Sequence, residues 1–169
     1  MQIGIAKTTK KGSPISGDSN LNVKLEDGKR LIAISDGMGS GPKAKQCSNI
    51  LVKLLKRLLL SGFDKETSIK LINSSICLNS EDETYATSDI AIFDLFKGNI
   101  EFIKNGACPT YIKNGKNVDI IKTLSIPTGI LENIDLDVFD RDIEKGDIIV
   151  MCSDGVIESN SEFENKELW

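Results

Sequence analysis

The sequence contains no histidine. That absence removes the Ser-His-Asp and Cys-His mechanisms, the imidazole general base and every histidine metal site. Catalysis in such a chain must run on carboxylates, lysine, hydroxyls, thiols or a metal held by oxygen ligands. The four cysteines, Cys47, Cys77, Cys108 and Cys152, are far apart and form no CxxC pair, so they are not expected to make a zinc site. Most lie in apolar patterns, which reads as reduced core thiols in a cytosolic compartment. Long apolar runs are missing as well. The most apolar helical stretch, residues 50–60, carries Lys53, Lys56 and Arg57 and is too short to cross a membrane. Met1 leads straight into a strand-like segment, so no signal peptide is expected. An excess of basic charge is lacking too: 21 basic and 25 acidic residues leave a net charge of −4, a poor footprint for nucleic acid. Neither a tandem repeat nor a low-complexity tract occurs.

What remains is ordinary globular composition. The 169 residues are 40% hydrophobic and 27% charged, enough for a single domain with a real core. Residues 2–7 are expected as a first strand, followed by a Gly/Ser/Pro/Lys loop at 10–17. Residues 20–25 alternate as a half-buried strand does, and Asp27-Gly28 signals a hairpin turn into the strand at 30–35. A glycine-rich loop, residues 36–41, then opens a helix over 42–60 with Ile50, Leu51, Leu54, Leu55 and Leu58 at helical spacing. Asp64 is placed to cap a second helix, whose buried stripe is Ile69, Ile72 and Ile76. Strands are expected from there on, at 89–95, 99–105, 110–113, 118–121, 135–139 and 147–152. The polar tail begins at Glu158. Strands, a helical pair, then a run of strands is an α+β pattern, distinct from βαβ alternation.

One local echo stands out. An apolar strand followed by Ser-Asp-Gly occurs at residues 31–37 and again at 148–155. Two carboxylates, Asp36 and Asp154, thus leave the ends of buried strands, each followed by glycine. The glycine lets the backbone approach a ligand, and its carbonyl can join the carboxylate as a hard oxygen donor. Oxygen-only sites suit Mg²⁺ or Mn²⁺. Asp-Gly is also ordinary turn chemistry, and one copy alone would not decide between the two readings. Two copies on equally apolar strands favour a site. Asp18, in Ser16-Gly17-Asp18-Ser19, offers a third acid, a weak signal by itself.

Other features carry less. Residues 38–41 could present backbone N–H groups to a phosphate at a helix start, but the spacing is not that of a P-loop. Lys43 and Lys45 are read as solvating the helix, with phosphate steering as the other reading. Ser88-Asp89 is read as a hydrogen-bonded strand start in preference to a ligand. Residues 106–109 and 127–129 read as turns, and nothing marks Cys108 as a nucleophile.

Taken together, these pieces resemble a known family. Residues 35–39 (SDGMG) with the helix that follows are similar to the phosphatase domain of the stage II sporulation protein E family, a bacterial branch of the 2C-type metal-dependent Ser/Thr phosphatases. Residues 16–19, 82–89, 106–109, 126–130 and 146–155 continue the resemblance in order along nearly the whole chain. It implies an αββα sandwich of two mostly antiparallel sheets, with two Mn²⁺ or Mg²⁺ ions at one end. By motif, Asp36 would bridge both metals and Gly37 would lend its carbonyl. Asp154 would bind one metal, and Asp18 would be an inner or water-mediated ligand. The implied reaction is attack of metal-activated water on a phosphoserine of an anti-sigma-factor antagonist, in sporulation control. The resemblance also implies regulation through the two helices after Gly41, and a homodimer through them.

The sequence departs from the family in one respect. No aspartate follows Asp154, where the family carries a further acid near its C-terminus. Residues 1–169 are therefore expected to be a single phosphatase domain truncated at its C-terminal end, cytoplasmic by itself and without membrane contact, from a family whose parent protein is membrane-anchored. The alternative is a catalytically inactive partner-binding module of the same fold.

Overall fold

The computed structural model describes residues 1–9, 15–39, 41–79 and 84–157. The loop at 10–14, Ser40, the link at 80–83 and the polar tail from Glu158 lie outside the described residues.

Alternation builds the first sheet. Strand β1 (Asp18–Lys24) turns through a short 3-10 turn (Glu26–Gly28) into β2 (Arg30–Asp36), and the two pair antiparallel. Gly28 supplies the positive φ of 76° that this hairpin needs. On β2, Leu31, Ala33 and Ser35 are buried on one face, while Ile32, Ile34 and Asp36 share the other. After the helices come β3 (Ser88–Asp94) and β4 (Asn99–Asn105), then β5 (Thr110–Asn114), β6 (Asn117–Ile121), β7 (Asp137–Asp142) and β8 (Ile148–Val150). The order is β1-β2-β3-β4-β7 in a five-stranded sheet and β6-β5-β8 in a three-stranded one. All pairings are antiparallel.

Helix α1 (Gly41–Leu60) buries Ala44, Cys47, Ser48, Leu51, Val52 and Leu55, a stripe at helical spacing. It packs on β1, β2 and helix α2 (Lys65–Asn79). Asp64 caps α2 as expected, its Oδ1 accepting from the Thr67 N–H at 2.9 Å. One core lies between helices and sheet, with Leu31, Leu51, Leu55, Ile69, Ile72 and Ile90. A second lies between the sheets, with Phe93, Ile100, Phe102, Ile112 and Ile121. Each fully buried side chain of this size contributes about 1.5–3 kcal/mol. Among the described residues no helix is long and apolar enough to cross a membrane.

The expected strand at residues 2–7 is absent, and those residues pair with no other strand. Alternation states what a segment can do; a strand forms only where another edge meets its N–H and C=O groups. The strand expected at 135–139 runs instead at Asp137–Asp142, where its register with β4 lies. That at 147–152 shortens to Ile148–Val150, after which the chain turns into a four-residue helix, α3 (Asp154–Ile157).

Candidate metal centre

Asp36 ends β2 on the face turned toward the second sheet. Directly across the β1–β2 pair its Cα partner is Asp18. Thr87 fixes the Asp36 backbone from both sides: its hydroxyl accepts the Asp36 N–H at 2.9 Å, and its own N–H donates to the Asp36 carbonyl at 2.8 Å. The next residues continue this short pairing, with the Met38 N–H on the Tyr85 carbonyl at 2.9 Å and a bridge from Gly37 to Ala86.

Gly37 is buried, and no other residue fits there. A Cβ added to it would lie 1.8 Å from the Ala44 carbonyl oxygen in the first turn of α1. Gly17 lies on the other side, where an added Cβ would come within 3.1 Å of the Gly37 carbonyl oxygen and 3.4 Å of an Asp36 carboxylate oxygen. Helix α1 in turn holds the Gly17–Ser19 strand entry. The Ser48 hydroxyl donates to the Gly17 carbonyl and lies 2.8 Å from the Ser19 hydroxyl.

Asp154 arrives from the end of β8. Its neighbour Ser153 donates its hydroxyl to Asp18 Oδ2 at 3.0 Å. Asp154 and Asp18 both bear on the Asp36 carboxyl. Burial, then the charges of Asp154 and Asp18, push its pKa from 3.8 up to about 8. Three segments remote in sequence thus deliver three carboxylates to one place, beside the Gly37 carbonyl. Among the described residues no three acidic or thiol side chains are drawn to a common point at coordination distance. Asp36 instead feels each of the other two. The donor set is all oxygen and strongly anionic, and the repulsion centred on Asp36 is the kind that a hard divalent cation relieves. On its chemistry the set fits Mg²⁺ or Mn²⁺.

The acids open onto a groove of ≈1870 Å³ that also takes in the N-terminal residues and residues 143–156. Behind them sits a small cavity of ≈60 Å³, bounded by Asp36, Asp89, Cys108, Cys152 and Asp154.

The family model for stage II sporulation protein E matches residues 26–169. The chain belongs to this family. It is 40% identical over 166 residues to stage II sporulation protein E of Priestia megaterium, covering 98% of this chain and 28% of that protein. The Bacillus subtilis (strain 168) relative gives the same identity and coverage of this chain, over 20% of its own length. The chain therefore spans about a quarter of the curated relatives it matches. Its fold superposes on the solved PP2C phosphatase domain, with a fragment of the regulatory domain, of SpoIIE from Bacillus subtilis. The TM-score is 0.86 at 40% identity, over 97% of this chain and 48% of that one. The α+β fold of two antiparallel sheets is thus that of a PP2C phosphatase domain.

Several residues that support the centre or the core escaped sequence reasoning. Thr87 had no assigned role. Asp89 was read as a strand start; it is buried and ion-paired with Lys104, which is itself fully buried and donates to the Thr110 hydroxyl at 2.8 Å. Asn73 on α2 is buried. Its amide donates to the Leu131 and Glu132 carbonyls at 2.8 and 2.9 Å and accepts the Gly129 N–H at 2.8 Å. Thr128, read as part of a turn, is buried with its hydroxyl 2.7 Å from that of Ser88. Lys45 was read as solvating the helix, with phosphate steering as the other reading. Its ammonium group instead turns inward, onto the Asp18 carbonyl and the Ser19 hydroxyl.

Proposed function

We propose that this chain, residues 1–169 acting as one phosphatase unit, hydrolyses phosphoserine on a regulatory protein of the anti-sigma-factor-antagonist type. The observation that carries the proposal is the meeting of Asp18 and Asp154 on Asp36 in the lining of a groove of ≈1870 Å³. Divalent cations held there, which we take to be two Mn²⁺ or Mg²⁺ ions, would supply Lewis acidity.

The chain's own residues would do the holding. Asp36, fixed by Thr87, would offer a carboxylate. Asp154 offers a second, and Gly37 a carbonyl. Asp18 serves as a direct or water-mediated ligand, and Ser153 orients it through Oδ2. Among the described residues no side chain at the centre is placed as a covalent nucleophile. Burial and the neighbouring acid Asp154 hold the Cys108 thiol protonated, its pKa pushed up to about 12. The sequence has no imidazole to activate a hydroxyl. Direct attack of water on phosphorus is the chemistry these residues suit. We further infer that a second copy or a partner would meet the α1–α2 turn, where Leu60 and Phe63 are exposed.

The test is Mn²⁺-dependent phosphate release from a phosphoserine peptide, with Asp36→Asn as the control. Turnover that needs the metal and disappears in the variant supports the proposal. Metal binding without turnover on any phosphopeptide would leave the partner-binding module as the better reading.

A further inference from the structure

Gly37 belongs to a short ladder that reaches a third segment. Ala86 bridges Gly37 on one side and Thr128 on the other. Its N–H donates to the Thr128 carbonyl at 3.0 Å, and its own carbonyl accepts the Thr128 N–H at 2.9 Å. Both residues are fully buried. On the near side the ladder ends on Asp36, through the two bonds that Thr87 makes to its backbone. The position of Thr128 therefore bears, through backbone hydrogen bonds, on the segment that carries the Asp36 carboxylate and the Gly37 carbonyl.

Beyond Thr128 the chain runs through residues 129–132 outside any strand, so its backbone groups need partners from elsewhere. Helix α2 supplies them. Asn73, only 1% exposed, accepts the Gly129 N–H at 2.8 Å and donates to the Leu131 and Glu132 carbonyls at 2.8 and 2.9 Å. These contacts engage both the oxygen and the nitrogen of its amide. One turn further along α2, Ile76 stands so close to Gly129 that an added Cβ there would come 2.4 Å from its Cγ2. The far side of the ladder is thus fastened to α2 directly beside Thr128.

We propose that Asn73 is a positioning residue for the metal centre. By fastening residues 129–132 to α2 it fixes Thr128, and through Ala86 it sets where Asp36 and Gly37 stand. It acts only through these residues, without touching a cation or a substrate itself. This rests on the metal-centre reading above. Tolerance at the centre is small, because Gly37 meets the Ala44 backbone with no room for one methyl group. Groups that hold metal ligands in this indirect way commonly change metal affinity by about ten-fold or more when removed.

The test is calorimetric Mn²⁺ titration of the full chain and of Asn73→Ala, beside backbone amide exchange of both without metal. Asn73→Ala should weaken Mn²⁺ binding about ten-fold. Its exchange should quicken at Gly129 and at the ladder amides of Ala86 and Thr128, ahead of the rest of the sheet. Ile69→Val, a core trim on the same helix, separates positioning from lost stability. It should leave both the Mn²⁺ affinity and the ladder amides unchanged. Should Asn73→Ala fail to fold, Asn73→Asp takes its place under the same criteria, since it keeps the acceptor for Gly129 and loses both donors. Mn²⁺ bound equally well by the folded variant would overturn the role of Asn73 while the metal centre stood. An equal loss in Ile69→Val would overturn it too, because any weakening of α2 would then suffice. If the unaltered chain bound no Mn²⁺, the metal-centre reading would fail, and the positioning role with it.

Discussion

Asp18 and Asp36 are direct Cα partners across the antiparallel β1–β2 pair, so their carboxylates share one face at the end of the sheet. Like charges placed directly opposite destabilise a sheet. Asp154 adds a third charge, and the centre responds by holding a proton on Asp36 up to about pH 8.

That proton has a measurable consequence in metal-free protein. Unfolded Asp36 loses its proton near its ordinary pKa of 3.8, whereas folded Asp36 keeps it to about 8. Between those values the folded state binds more protons than the unfolded state. This contribution is therefore fully present below the lower value and is lost as pH rises through the upper one. Urea melts in chelator should show stability falling across this window. Asp36→Asn should flatten the fall, and added Mn²⁺ should offset it. A slope unchanged by the variant would show that the acids do not interact as described.

Gly37→Ala is expected to be severe although it adds one methyl group. The new Cβ would meet backbone atoms of Ala44, the nearest 1.8 Å away, and a helix backbone cannot swing aside as a side-chain tip can. Either β2 or α1 must shift, at a cost of about 1–3 kcal/mol or more. Gly155→Ala is the natural control, because nothing lies within 4 Å of its added Cβ. Thermal melts of the two variants should separate clearly, with Gly37→Ala also weakening Mn²⁺ binding.

Much of this arrangement was legible in the sequence because it rests on local pattern. The Ser-Asp-Gly echo identified Asp36 and Asp154, and periodicity identified α1 and its stripe. Asp64 announced the start of the second helix by its cap chemistry, and Ile69, Ile72 and Ile76 its buried stripe. Partnerships set by register were not legible. Lys104 meets Asp89 only because β3 and β4 pair with these two residues opposite, which no local rule fixes. Thr87 and Lys45 act on residues far away in the chain, and both have the composition of ordinary surface positions. The strand expected at residues 2–7 and not formed is the converse case. Its alternation is clear, and no sheet edge meets it.

Cys108 should be a poor target for alkylation despite being only half-buried. Its thiol is pushed up to about 12 by burial first and by Asp154 next. Since the thiolate is the reacting species, iodoacetamide should modify it at neutral pH roughly 100-fold or more slowly than a free cysteine. Peptide mapping after timed labelling of the folded chain reads this directly. Rapid labelling at Cys108 would mean that the thiol is not shielded as the structure has it.

The Asp89–Lys104 pair is expected to specify the sheet contact more than to stabilise it. Both side chains are buried, with Thr110 completing the hydrogen bonding from the second sheet. Removing one partner leaves a charge with no water and no counter-ion, so Lys104→Met should cost about 3–5 kcal/mol. Removing both charges leaves no such orphan. The double variant Asp89→Leu with Lys104→Met should therefore recover most of that loss, and this non-additivity distinguishes a paired buried charge from a simple packing defect. Urea denaturation of the two single variants and the double one measures the coupling. Additive losses would show that the two residues contribute through separate contacts.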